Sequence, residues 1–164
     1  MKKNGILITL IFIITSCSIH RIKKPEQIGE KAFYMLKNIN SNSKQNYINN
    51  FISIKEIHLL AKNEKVVKEE EEREQMYSLT NEEWMKNCEK NYKKIKEKGV
   101  RLKINWQKIQ YIDFLYENKI GLFEGALIFK CNDNSYIARI NAIYDSKEYK
   151  LVEIEWINEY LHEK

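Results

Sequence analysis

From Pro25 onward, apolar residues recur with a helical period. Ile28, Ala32, Met35, Leu36 and Ile39 share one face, which predicts a first helix over 25–39. Pro25 and Glu26 suit its first turn, because proline lacks only a donor that would be orphaned there and the acid complements the helix dipole. The polar run Asn40-Ser41-Asn42-Ser43 breaks the pattern, and a short helix with Tyr47, Ile48 and Phe51 follows. Ser53 with Glu56 spells a capping box that opens another helix, whose apolar face is Ile57, Leu60 and Ala61. Between Lys62 and Gln75 nearly every residue is charged, including Glu69 to Glu72 and Glu74. Such a run reads as a mobile loop or an exposed helical arm. A second capping box, Thr80 with Glu83, begins a helix on which Trp84, Met85, Cys88, Tyr92 and Ile95 form one stripe, a core face that Gly99 is expected to close.

After Gly99 the period changes from helical to extended. Ile104 to Tyr116, Ile120 to Cys131, Tyr136 to Tyr144 and Tyr149 to Ile157 are rich in β-branched and aromatic residues and are joined by short polar links. They predict an antiparallel meander. In the third strand Tyr136, Ala138, Ile140, Ala142 and Tyr144 alternate with Ile137, Arg139, Asn141 and Ile143. In the fourth, Val152, Ile154 and Trp156 alternate with Glu153 and Glu155. One face covered and one partly wet is the signature of a sheet packed on helices, so the fold class is α+β, with N-terminal helices on a four-stranded antiparallel sheet.

Composition supports a packed domain and narrows its partners. Of 164 residues, 43% are hydrophobic and 31% charged, with five Gly and one Pro, which excludes collagen-like and disordered chains. The formal charge is +5 and includes Lys2 and Lys3 of the leader described below, so nucleic acid is not an expected partner. There is no glycine-rich phosphate loop, no HExxH, no paired-cysteine zinc spacing and no Gly-x-Ser-x-Gly, and His20, His58 and His162 are dispersed. Neither a metal nor a cofactor is therefore expected.

The front of the chain carries an address. MKKNGILITLIFIITSC has two lysines, an apolar run from Ile6 to Ile14 and then small residues, the layout of a secretory signal peptide. The run is too short to span a bilayer as a helix. Its end, Ile14-Thr15-Ser16-Cys17, resembles the bacterial lipobox. That resemblance implies cleavage after residue 16 and lipidation of Cys17, with several acyl chains holding the protein on the membrane. Residues 17–24 then form a lipidated tether, basic at Arg21, Lys23 and Lys24, and 25–164 a single domain. Ser18 after the cysteine favours the outer membrane over inner-membrane retention.

Helices followed by a four-stranded meander behind a lipobox resemble the cystatin-like cone of nuclear transport factor 2-like domains. The local match is the ending, Tyr136-Ile-Ala-Arg-Ile-Asn-Ala-Ile-Tyr144, a charged turn, then Tyr149-Lys-Leu-Val-Glu-Ile-Glu-Trp156. The resemblance implies a sheet curled around helices to leave a pocket, used for catalysis in some members and for binding in others, so fold alone does not give function. Trp106, Asp113, Phe114, Tyr136, Tyr144 and Trp156 are the candidate pocket residues. An isomerase-type or cyclase-type enzyme would need Asp113 or His58 buried beside that pocket, although Asp113 falls on the opposite alternation from Phe114 and His58 fits a structural role equally well. The leading expectation is a non-enzymatic binding or accessory module for a protein partner or a small apolar ligand. An envelope immunity or inhibitor protein, using Glu69 to Glu74 against a basic partner, is the third. Cys88 and Cys131 are either a disulfide, in a compartment where such bonds persist, or two separate buried thiols.

Overall fold

The stripe of apolar residues in the first helix is the spine of the molecule. In the computed structural model, which describes residues 21–117 and 120–160, α1 (Glu26–Lys37) buries Ile28, Ala32, Met35 and Leu36. It lies against all four strands of an antiparallel sheet, β1 (Gln110–Tyr116), β2 (Gly121–Cys131), β3 (Asn134–Tyr144) and β4 (Tyr149–Glu159), in the order β1-β2-β3-β4. The α+β class and the meander are as the sequence predicts. Phe114 opposite Leu127, Leu127 opposite Ala138, and Ala138 opposite Ile157 make one cross-strand row on the face toward α1. Small Ala138 and Ala142 in the middle strand let the helix approach, and both are fully buried. Register shifts at Ile112 in β1 and at Val152 and Glu155 in β4 bend the edge strands.

The short α2 (Lys44–Ile48) and the long α5 (Asn81–Arg101) complete this first core, α5 running along β4. Ser43 and Thr80 cap these helices, each accepting a backbone N–H three residues on, Thr80 as its capping box predicts. Gly99 does not close α5. It lies inside the helix, where a Cβ would collide with the indole of Trp106. The stop is Lys103, whose φ of 54° supplies the left-handed turn, while Ile104 N–H donates to the Gly99 carbonyl at 2.9 Å and Lys103 N–H to that of Val100 at 3.1 Å. This pair of bonds consumes residues 103 and 104, and a 3-10 turn at Trp106–Lys108 follows, so β1 begins at Gln110 rather than at Ile104.

A second, smaller core lies beyond the edge of β4. Ile52 N–H donates to the Leu151 carbonyl at 2.8 Å, and Tyr149 N–H to the Ile22 carbonyl at 2.7 Å, so two separate segments cover that edge. From there α3 (Ile54–Ala61) and the turn after it bring Ile57, Leu60, Val66 and Val67 onto Ile143, on the sheet face opposite α1. The charged run thus divides in two. Its first part buries Val66 and Val67, whose N–H groups both donate to the Asn63 carbonyl; its second part is a helical arm, α4 (Glu70–Ser78), with no buried residue. Both cores are built from residues between Ile22 and Ile157, so a chain beginning at Ser18 keeps all of them.

The capping box of α3 also carries a charge test. Glu56 accepts from Ser53 N–H at 2.9 Å and from Lys150 Nζ at 2.8 Å, and Lys150 also donates to Glu148 at 2.6 Å. Partial burial pushes the Glu56 carboxyl up, but Lys150 and Ser53 prevail and hold it at about 2. A carboxyl depressed in the folded state stabilises above its unfolded value of ~4.3, and that contribution is lost as pH falls toward 2. Because the group is partly solvated, Glu56→Gln is expected to cost only about 1 kcal/mol at neutral pH. It should also flatten the fall of melting temperature between about pH 4.5 and 2. Identical acid profiles for the two proteins would remove Glu56 as the source.

Candidate functional site

The interior toward α1 is filled by its own aromatic residues, which corrects the expected pocket. Phe114 is 4% exposed and wedged between α1 at Gly29 and β2 at Gly125, since a Cβ on either glycine would collide with its ring. Tyr136 stacks on Phe129 with ring centroids 5.5 Å apart and donates its hydroxyl to the Leu102 carbonyl at 3.2 Å. Trp106, 3% exposed, packs beside Phe129 and under Gly99. Tyr144 is half-buried and stacks on Tyr149. Asp113 is exposed and accepts from the Phe114 N–H at 2.8 Å. Trp156 borders a shallow hollow on the opposite face, cross-strand from Arg139, which is ion-paired to Glu124 and Glu155. The six residues therefore do not enclose one cavity.

The largely apolar cleft forms where the charged arm folds back. Ile57 and Leu60 of α3 and Val67 make one wall, Met76 and Leu79 the roof, and Ile143 and Val152 of the sheet the floor, around about 480 Å³. Leu122 stands at its border, 53% exposed, and Glu72 and Gln75 add a polar rim. Two polar ties hold the roof. His58 Nε2 lies 2.9 Å from the Leu79 carbonyl, which can only accept, so this nitrogen carries the proton. Arg73 donates to the carbonyls of Val67 at 3.0 Å and Lys68 at 2.6 Å. His58 is thus a fastener between α3 and the end of α4, and Asp113 lies on β1 away from it. Neither is buried beside the cleft as an isomerase-type site would require: Asp113 is exposed, and His58 is half-buried and does not line the cleft.

A second hollow, about 320 Å³, lies between α5 and β4. Asn91, 6% exposed, is its hub: it accepts from the Tyr47 hydroxyl at 3.0 Å and donates to Glu153 at 3.0 Å and to the Ile154 carbonyl at 2.8 Å. Burial, then the Glu155 charge, push the Glu153 carboxyl up. Cys88 borders the same hollow, its thiol pushed up to about 11 by burial and by Glu153, so at neutral pH it is protonated and a poor nucleophile. Cys131 is buried at the end of β2, its thiol 3.6 Å from the Asn105 carbonyl. Both cysteines are free, so the structure has two separate thiols and no bond between them.

Sequence reasoning missed both cavities. The signal for the cleft was Val66-Val67, two adjacent apolar residues inside a charged run. That for the hollow was the run Asn87, Lys90, Asn91 and Lys94, at helical spacing beside the Trp84 stripe. Cys17 and residues 1–16, the expected signal peptide, lie outside the described residues. Among those described, no helix is long and apolar enough to cross a membrane.

No family model matches the chain, and no curated protein does. Among solved structures, it is similar to the crystal structure of a cystatin-like protein from Ruminococcus gnavus ATCC 29149, at 12% identity and a TM-score of 0.47. The similarity covers 84% of this chain and 45% of that one, so this chain spans less than half the length of the protein it resembles.

Proposed function

We propose that this protein is a lipid-anchored envelope module, held on the outer membrane through Cys17, that binds a small apolar ligand without chemically altering it. The observation that carries the binding reading is the cleft under α4. Its walls are mainly aliphatic, its volume lies in the range of small-molecule sites, and its roof is a helix with no buried residue of its own, fastened by His58 and Arg73. A roof so lightly packed opens at low cost. The lipobox at Ile14 to Cys17 supports the anchor. A protein partner is the second reading, supported by Glu70, Glu71, Glu72 and Glu74, which α4 leaves exposed.

The ligand reading is tested with the neutral fluorophore N-phenyl-1-naphthylamine and a chain beginning at Ser18. The expected result is fluorescence enhancement that saturates one to one and is lost in Met76→Trp, which fills the cleft from a half-buried roof position packed against the second core. Failure of the wild type to bind, or an unchanged signal in a folded Met76→Trp protein, would sink it. Native mass spectrometry of the same protein, purified under gentle conditions, reports any ligand carried from the cell as added mass.

A further inference from the structure

The two cavities share a wall. Trp84 and Val152 border both the apolar cleft and the hollow between α5 and β4, and the Trp84 indole packs against both cores. Their chemistry differs sharply across that wall. The cleft is lined mainly by aliphatic side chains, whereas the hollow is rimmed by Asn87, Lys90 and Lys94, all exposed on one side of α5. Among the described residues neither lysine makes an ion pair, while their neighbours are engaged elsewhere: Lys44 with Glu89 at 2.7 Å and Lys93 with Glu97 at 3.9 Å. The hollow's one carboxylate, Glu153, already accepts from Asn91. Two ammonium groups against one engaged carboxylate leave the hollow net positive, with donors in excess of acceptors.

We infer that the cleft and the hollow form one elongated site for a single-chain amphiphile with a carboxylate head, its hydrocarbon lying under α4 and its carboxylate meeting Lys90 and Lys94. This rests on the apolar-ligand reading above and adds the class of ligand to it. Charge complementarity selects the head: Glu153, which already accepts from Asn91, is the one carboxylate of the hollow set against Lys94, and Lys90 has no ion pair among the described residues, so an anionic head answers the remaining positive charge. Trp84, at the shared wall, contacts the chain where it passes from one cavity to the other.

The test compares dodecanoate with dodecanol, two probes with the same tail and different heads, by tryptophan fluorescence and native mass spectrometry on a chain beginning at Ser18. Dodecanoate is expected to bind one to one and about tenfold or more tighter than dodecanol, the effect of a charge-assisted contact. The double variant Lys90→Ala, Lys94→Ala should lose that preference while binding dodecanol as the wild type does, and Lys90→Arg, Lys94→Arg should retain it. Both lysines are exposed, so an unchanged melting temperature confirms that the variants are folded. Equal binding of the two probes, or a preference that survives the alanine variant, overturns the head-group assignment and leaves the apolar reading standing. If neither probe binds, both fail together.

Discussion

Phe114→Ala is expected to lower the melting temperature by about 10–15 °C, from a loss of about 3–5 kcal/mol. The ring is 4% exposed and is the element that holds α1 to β2, with Gly29 on one side and Gly125 on the other. Truncation leaves a void that neither glycine can fill, because they carry no side chain. The same geometry predicts how the effect couples. Gly29→Ala alone, by driving a methyl into the ring, should cost about 1–3 kcal/mol. In the Phe114→Ala background the collision is gone, so the double variant should be more stable than the sum of the two losses by about 1 kcal/mol or more. Strict additivity in thermal or urea unfolding would show that the wedge is not what links the two positions.

Asn91→Ala is expected to cost about 2–4 kcal/mol, because one amide satisfies several partners at once and its loss strands them. The Tyr47 hydroxyl, on a side chain 1% exposed, would lose its acceptor, and Glu153 and the Ile154 carbonyl would each lose a donor. Tyr47→Phe makes the sign specific. In the wild type it removes a hydrogen bond and destabilises, whereas in Asn91→Ala it removes a hydroxyl that has no acceptor and should be neutral or favourable. Urea midpoints at unchanged slope measure both. A cost for Asn91→Ala under about 0.5 kcal/mol, the range of ordinary surface substitutions, would remove it as the hub.

What could be read from the sequence followed how local the signal was. Both capping boxes formed where Ser53 with Glu56 and Thr80 with Glu83 placed them, because the hydrogen bonds involved span three residues. The helical stripe of α1 and the alternation in β3 likewise carry their period within the element, and the α+β meander follows from their order. In β4 the bulges at Val152 and Glu155 break the expected alternation, so Ile154 faces α1 with Leu151 and Ile157 while Val152 and Trp156 lie on the other face. Gly99 misled because a glycine near a helix end has two uses. Here it clears space for Trp106, and Lys103 accepts the left-handed turn instead. The distinction depends on an indole seven residues away in sequence and packed against the helix in space.

The sequence by itself determined the element types, the caps, the faces that seek burial and the motif at Ile14 to Cys17, since each is encoded by neighbours a few residues apart. Only the tertiary structure decided where space remains. Aromatic residues that read as the walls of a pocket, such as Phe114, Tyr136 and Trp106, fill the interior instead, because a close-packed core places bulk wherever facing glycines and alanines leave room. The cleft arises where α3, an exposed charged arm and the far face of the sheet meet, from residues as distant in sequence as Ile57 and Val152. A cavity is what packing leaves unfilled between such elements, and no local pattern in the chain records it.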